Sequence, residues 1–74
     1  MKLQPIAPNC TQISKGDGTR ILFSYESPVA AFIPGRGYVR TDKKWSNTTS
    51  KHINKWLGKV TAQLIPQSEL DALV

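Results

Sequence analysis

Cationic side chains concentrate in the middle of the chain, where they could hold an anion. Seven of the ten Lys and Arg residues fall between Arg36 and Lys59, a segment with a single acidic residue, Asp42. This segment carries a net charge of +6, whereas the rest of the chain carries −1. Charge of one sign gathered in this way attracts anionic partners over a long range. The segment therefore indicates a nucleic acid or an acidic protein surface as the partner.

An aromatic residue lies inside this cationic segment. Trp45 directly follows Lys43 and Lys44, and Arg40 precedes them on a predicted strand. Such a composition is typical of sites where a ring stacks on bases while cations follow the phosphate backbone. These four residues are predicted to contact nucleic acid. The alternative is that the Trp45 ring fills the gap between a sheet and a helix.

Hydroxyl groups and a lysine coincide at the predicted start of a helix. Thr48, Thr49 and Ser50 precede Lys51, at a helix end where unpaired backbone N–H groups can bind a phosphate. A lysine in the first turn opposes the helix dipole, which favours a role in binding. Lys55 follows one turn later and extends the cationic face. Simple capping of the helix and an ordinary solvated lysine face are the alternatives.

A further arginine lies at a predicted hairpin tip. Arg36 stands between Gly35 and Gly37, and Pro34 precedes this run. This position can present a guanidinium to a groove or a phosphate. Charged residues are also common at tips simply because tips are exposed, so both readings stay open.

Few residues could support catalysis or hold a metal. His52 is the only histidine, and the sequence places no carboxylate near it to orient its ring. Cys10 is the only cysteine, which excludes an intramolecular disulfide and leaves too few ligands for a metal site. We therefore predict a protein that is not an enzyme and that needs no metal or cofactor. An enzyme acting through His52 is the least favoured hypothesis.

The element pattern predicts one small α+β domain over residues 1–74, with residues 1–10 as a loose N-terminal arm. A small antiparallel β-meander of three to four strands, its tip at Gly35, is expected to pack against one short central helix. Ile53, Trp56 and Leu57 form the apolar stripe of that helix, which is about two turns long. Gly58 is expected to end it. A last strand and a short C-terminal helix, which includes Val74, complete the domain.

The sequence contains no segment expected to enter a membrane. No run approaches the roughly 20 apolar residues of a membrane helix. Pro5 and Pro8 interrupt the N-terminal apolar residues, so a signal peptide is not expected. These observations predict a cytoplasmic protein. Strand edges that could pair with another chain leave the oligomeric state open.

Three segments resemble a family of short, mostly uncharacterised proteins of tailed bacteriophages. The segments are Tyr25–Ala30, Gly37–Ser46 and Thr48–Leu57. The family patterns read Y-x-T-P-V-A, then Y-x-x-T-x-K-K/Y-W/Y-S, then T-T-S/T-x-H-I-N-x-W/F-L, and Ser27 stands here where the first has threonine. The resemblance implies a phage origin and the cytoplasm of a bacterial host. It also places five residues of the helix in the family pattern: Thr48, Thr49, Ser50, His52 and Asn54.

Charge, motifs and resemblance together predict a small non-enzymatic phage protein. Its first predicted function is nucleic-acid binding, in which a basic patch at a helix N-terminus holds the phosphate backbone. The alternative is a protein-interaction module that binds and modulates a bacterial host enzyme or defence component, since a basic face can equally meet an acidic protein surface.

Overall fold

The computed structural model describes residues 2–73, which form a six-stranded sheet and two helices. Met1 and Val74 lie outside the described residues, and so does the predicted place of Val74 in the C-terminal helix. The elements in chain order are β1 (Lys2–Ala7), β2 (Cys10–Ser14), β3 (Arg20–Ser24), β4 (Ser27–Ile33), β5 (Gly37–Thr41), α1 (Asn47–Leu57), β6 (Gln63–Ile65) and α2 (Gln67–Ala72).

The sheet is larger than predicted, and it is mixed rather than purely antiparallel. Its strands lie side by side in chain order from β1 to β6, and β1 to β5 pair as an antiparallel meander. β6 pairs with β5 in parallel, so the chain must cross over between them, and α1 makes that crossover. The predicted meander of three to four strands packed against one central helix is therefore wrong.

The predicted loose arm is also wrong, because most of residues 1–10 form strand β1 and its turn. β1 is an edge strand that pairs only with β2, and its register shifts between Pro5 and Ala7. An edge position tolerates proline, which cannot donate to a second neighbour. Asn9 then closes the hairpin with a φ of 61°, a left-handed conformation that asparagine accepts more readily than most residues.

The two helices cover opposite faces of the sheet. Neighbouring residues of a strand point to opposite faces, and neighbours such as Ile21 and Leu22 belong to different apolar clusters. We call the two sides the α1 face and the α2 face. The buried apolar cluster of the α1 face consists of Cys10, Leu22, Val29, Ala30, Ile53 and Leu57. That of the α2 face consists of Ile21, Ala31, Val39, Ile65 and Leu70.

Helix α1 follows its predicted apolar stripe but is longer than expected. Ile53 and Leu57 are buried and Trp56 packs against them, as the spacing predicts. The helix has 11 residues, about three turns instead of two, because Ser46 rather than a later hydroxyl is its N-cap. Gly58 ends it with a φ of 62°, where glycine avoids the clash of a Cβ. Within residues 2–73 neither helix has the length and apolar character to cross a membrane.

Candidate functional site

A pocket of about 370 Å³ opens between the start of α1 and the β5–β6 edge of the sheet. Strand β5, the segment that follows it, helix α1 and strand β6 all contribute to its lining. The cationic lining residues are Arg40, Lys43 and Lys44. The other polar ones are Thr41, Asp42, Asn47 and Ser50, and the apolar ones are Trp45, Ile53 and Leu64.

Arg40 lies on the α1 face of β5, between Ala30 of β4 and Leu64 of β6. Its Nε atom is buried, and no hydrogen-bond acceptor within residues 2–73 reaches it. A guanidinium carries five N–H donors and no acceptor. A buried donor that stays unsatisfied costs about 1–3 kcal/mol. The side chain as a whole lines the pocket, so its positive charge lies where an anion could bind.

The segment after β5 is held by backbone contacts that orient its cations. The Thr41 hydroxyl accepts a hydrogen bond from the backbone N–H of Lys43 at 3.0 Å. The backbone N–H of Asp42 donates to the Ile65 carbonyl of β6 at 2.9 Å. Because both bonds tie the segment to buried strand ends, Lys43 and Lys44 leave the sheet beside the pocket rather than on a free loop.

Trp45 lines the pocket and also packs against the sheet, and its predicted contact with nucleic acid stays a prediction. The Nζ atom of Lys43 lies 4.4 Å from the centroid of its ring, within the range of a cation–π contact. The ring also packs against the α1-face cluster, and its Nε1–H donates to Gln67 Oε1 at 3.4 Å. Trp45 is therefore a half-buried wall of the pocket and a packing residue at once.

At the start of the helix, the roles of the hydroxyl groups differ from the predicted ones. Ser46 Oγ accepts from the backbone N–H of Thr49 at 3.3 Å, so Ser46 caps the helix. Thr49 is only 3% exposed and cannot reach a ligand, which corrects its predicted place in the binding surface. Thr48 is exposed but does not line the pocket, whereas Ser50 does.

Thr49 belongs to a buried polar network that sequence reasoning missed. The hydroxyl of Ser24 on β3 lies 3.0 Å from Thr49 Oγ1 and 2.9 Å from His52 Nδ1. Ser24 is 2% exposed and His52 is 8% exposed, so a substrate does not reach this pair. Helical spacing could have indicated that Thr49 and His52 are buried, because they share one side of the helix with Ile53 at i, i+3 and i+4.

Other predicted binding residues lie outside the pocket. Arg36 is exposed at the hairpin tip and forms a surface ion pair with Glu69, in which the nitrogen and oxygen are 3.5 Å apart. Lys51 and Lys55 are exposed on α1. The structure thus brings together Arg40, Lys43, Lys44, Trp45 and Ser50, and it leaves out Arg36, Thr48, Thr49, Lys51 and Lys55. The lining also includes five residues that were not predicted there: Thr41, Asp42, Asn47, Ile53 and Leu64.

A cation outside the cationic segment is used in packing instead. The guanidinium carbon of Arg20 lies 4.9 Å from the centroid of the Phe32 ring. Its Nη2 donates to the Tyr38 hydroxyl at 3.3 Å, and the Tyr38 ring meets Trp56 edge-on with centroids 5.7 Å apart. The Arg20 guanidinium thus contacts an aromatic ring and a hydroxyl of the chain itself, whereas Arg40 lines the pocket.

The titratable groups near the core offer no metal site. Within residues 2–73, no three His, Cys, Asp or Glu side chains come together in a way that could hold a metal ion. Burial raises the pKa of the Cys10 thiol, and the positive charge of Lys55 opposes that shift. A thiol kept protonated in this way is a poor nucleophile and a poor ligand.

Comparison with known proteins gives one match. The model of a family of unknown function, DUF8033, matches residues 1–72. No curated protein and no solved structure shows significant similarity to the chain.

Proposed function

The chain belongs to the family of unknown function DUF8033, and we propose that it is a nucleic-acid-binding protein that holds phosphate groups at the pocket beside α1. The observation that carries this proposal is the convergence of Arg40, Lys43 and Lys44 on the lining of one pocket. Its action is non-enzymatic binding.

The helix adds to the attraction for an anion. Its first turn contains no acidic residue, so no side chain neutralises the positive end of the helix dipole there. Ser46 satisfies the backbone N–H of Thr49, and Ser50 contributes a hydroxyl to the pocket. Asp42 is the single acid of the lining, against three cations. The net positive potential of the pocket supports a phosphate ligand.

The resemblance to tailed-phage proteins supports a proposal for where the protein is made and acts. We propose that the protein is made from a phage genome and acts in the cytoplasm of the bacterial host. There it would meet host and phage nucleic acid, whose backbone offers the regular array of phosphates that a cationic surface recognises.

The test is a fluorescence anisotropy titration with labelled single-stranded and duplex oligonucleotides at several salt concentrations. The double substitution K43Q/K44Q removes two pocket charges, and the matched control K51Q/K55Q removes two exposed charges of α1. We expect K43Q/K44Q to weaken binding more than the control does. We also expect the number of phosphate contacts, taken from the salt dependence of the affinity, to fall by about two. Lack of binding to either oligonucleotide at tens of micromolar protein and low salt would overturn the proposal.

A second candidate function is a protein-interaction module that modulates a bacterial host enzyme or defence component. The observation that favours it is apolar exposure at the pocket: Leu64, which lines the pocket, is 63% exposed. An acidic protein surface with one apolar side chain would complement this arrangement. Capture from host lysate with and without nuclease separates the two. A partner protein that survives nuclease and is lost with Leu64→Ser favours this second function.

A further inference from the structure

The pocket has an apolar wall that phosphate binding alone does not explain. Trp45, Ile53 and Leu64 line it together with the cations, and the Leu64 side chain is 63% exposed. A surface that only followed a phosphate backbone would need cations and no such wall. The pocket volume of about 370 Å³ falls in the range of pockets that enclose small organic groups. The apolar wall and the volume both indicate that an organic group enters beside the phosphate.

The polar lining groups point to the same conclusion. Asp42 carries a carboxylate, which only accepts hydrogen bonds and repels a phosphate. The amino groups of adenine, cytosine and guanine are donors that a carboxylate can accept from. Asn47 has both donors and acceptors, and Ser50 has a hydroxyl that can serve as either. This mixture suits the edge of a base, whereas Arg40, Lys43 and Lys44 suit the phosphate.

From these observations we propose that the pocket takes one unpaired nucleotide of a single strand. Its base lies against the apolar wall formed by Trp45 and Leu64, where it takes the place of the Lys43 ammonium on the Trp45 ring, and its phosphate is held by Arg40 and the two lysines. In a duplex the base is stacked and paired, and its extrusion costs free energy, so single strands bind more tightly than duplexes. This inference rests on the proposed nucleic-acid function and names the form of nucleic acid that it serves.

The experiment compares three labelled probes by fluorescence anisotropy on the full chain. The first is a single strand of mixed sequence, the second is its duplex, and the third is the same strand with abasic sites along its length, which keeps the phosphates and removes the bases. We expect the intact strand to bind at least about tenfold more tightly than the duplex and several-fold more tightly than the abasic strand. Equal affinity for all three would overturn this inference and leave phosphate binding standing. No binding of any probe would overturn both.

A matched pair of leucines makes the test specific to the pocket. Leu64 and Leu3 are similarly exposed, at 63% and 66%, on strands at opposite edges of the sheet. We expect Leu64→Ser to weaken binding of the intact strand and to leave the abasic strand unchanged, while Leu3→Ser changes neither. Both exposed positions tolerate serine without loss of the core. Equal effects of Leu64→Ser on the intact and abasic strands would contradict a base in the pocket.

A free nucleotide shares the chemistry of a nucleotide within a strand, and the same assay distinguishes them. Adenosine monophosphate is added as competitor to the protein bound to the labelled single strand. We expect little displacement at concentrations well above that of the strand, because several phosphates of a strand contact the cationic surface and a mononucleotide offers one. Displacement at a concentration equal to that of the strand would overturn the preference for a strand.

Discussion

The two faces of the sheet bury apolar clusters of similar size but differ in the polar groups that adjoin those clusters. On the α2 face, the cluster closes around Leu70, which is fully buried. On the α1 face, the cluster is continuous with a buried network of Ser24, Thr49 and His52, and it opens into the pocket. The α2 face therefore carries a closed apolar core, whereas the α1 face carries a core, a buried polar network and a pocket.

The polar network on the α1 face has a consequence for the pocket. Buried polar groups must keep their hydrogen bonds, so they allow fewer positions of a helix than apolar contacts do. Thr49 and His52 of α1 are bonded to Ser24 of β3, and Ser50 and Ile53 beside them line the pocket. We therefore expect the network to hold α1 at its distance from the sheet and so to influence the width of the pocket.

The largest expected effect comes from breaking the α2 face. Leu70→Ala removes a fully buried side chain and leaves a cavity, so we expect a loss of about 2–5 kcal/mol in the free energy of unfolding. Urea denaturation followed by tryptophan fluorescence measures it. Ser68→Ala, an exposed change in the same helix, is the control and should change stability little. The affinity of the folded fraction for nucleic acid should be unchanged, and a large loss of affinity would contradict the separation of the faces.

The second effect tests the network on the α1 face. Ser24→Ala leaves His52 Nδ1 and Thr49 Oγ1 without the hydroxyl that joins them. We expect a loss of about 1–3 kcal/mol in the free energy of unfolding, because His52 Nδ1 is left unsatisfied, whereas Thr49 Oγ1 keeps its hydrogen bond from Ser46 Oγ. Ser27→Ala on the following strand is the control, since Ser27 is only half-buried.

Unlike the leucine change, Ser24→Ala should also weaken nucleic-acid binding, because α1 is no longer held at its distance from the sheet. A double-mutant cycle with Thr49→Val makes the comparison sharper. The two changes remove parts of one network. The losses in the free energy of unfolding of the two single variants should therefore sum to more than the loss of the double variant. Strictly additive costs together with unchanged affinity would show that the network does not position the helix.

Local patterns predicted several parts of this molecule well. The stripe of Ile53, Trp56 and Leu57 and the stop at Gly58 follow from helical spacing and from the freedom of glycine, and the structure has both. Arg40 and Trp45 line one pocket because they are close in sequence, on a strand end and the segment that follows it. Such features depend on short-range geometry, which the sequence records directly.

Features that depend on distant contacts could not be predicted in the same way. Pro5 indicated a loose arm, yet β1 forms because an edge strand needs hydrogen bonds on one side only. The bond between Ser24 and Thr49 joins residues 25 positions apart, so helical spacing can indicate that Thr49 is buried but not that Ser24 is its partner. Leu64 joins the pocket only because β6 lies parallel to β5, a pairing set by the crossover of α1.

The smallest expected effect concerns the start of α1, where sequence and structure assign the cap to different hydroxyls. Ser46 Oγ accepts from the Thr49 backbone N–H, whereas the Thr48 side chain is exposed. We expect Ser46→Ala to lower the free energy of unfolding by about 1 kcal/mol and Thr48→Ala to change it by much less. Thermal denaturation followed by circular dichroism is sensitive enough for both. The reverse order of the two effects would place the cap at Thr48, start the helix two residues later, and contradict the assignment of Ser46 as the N-cap.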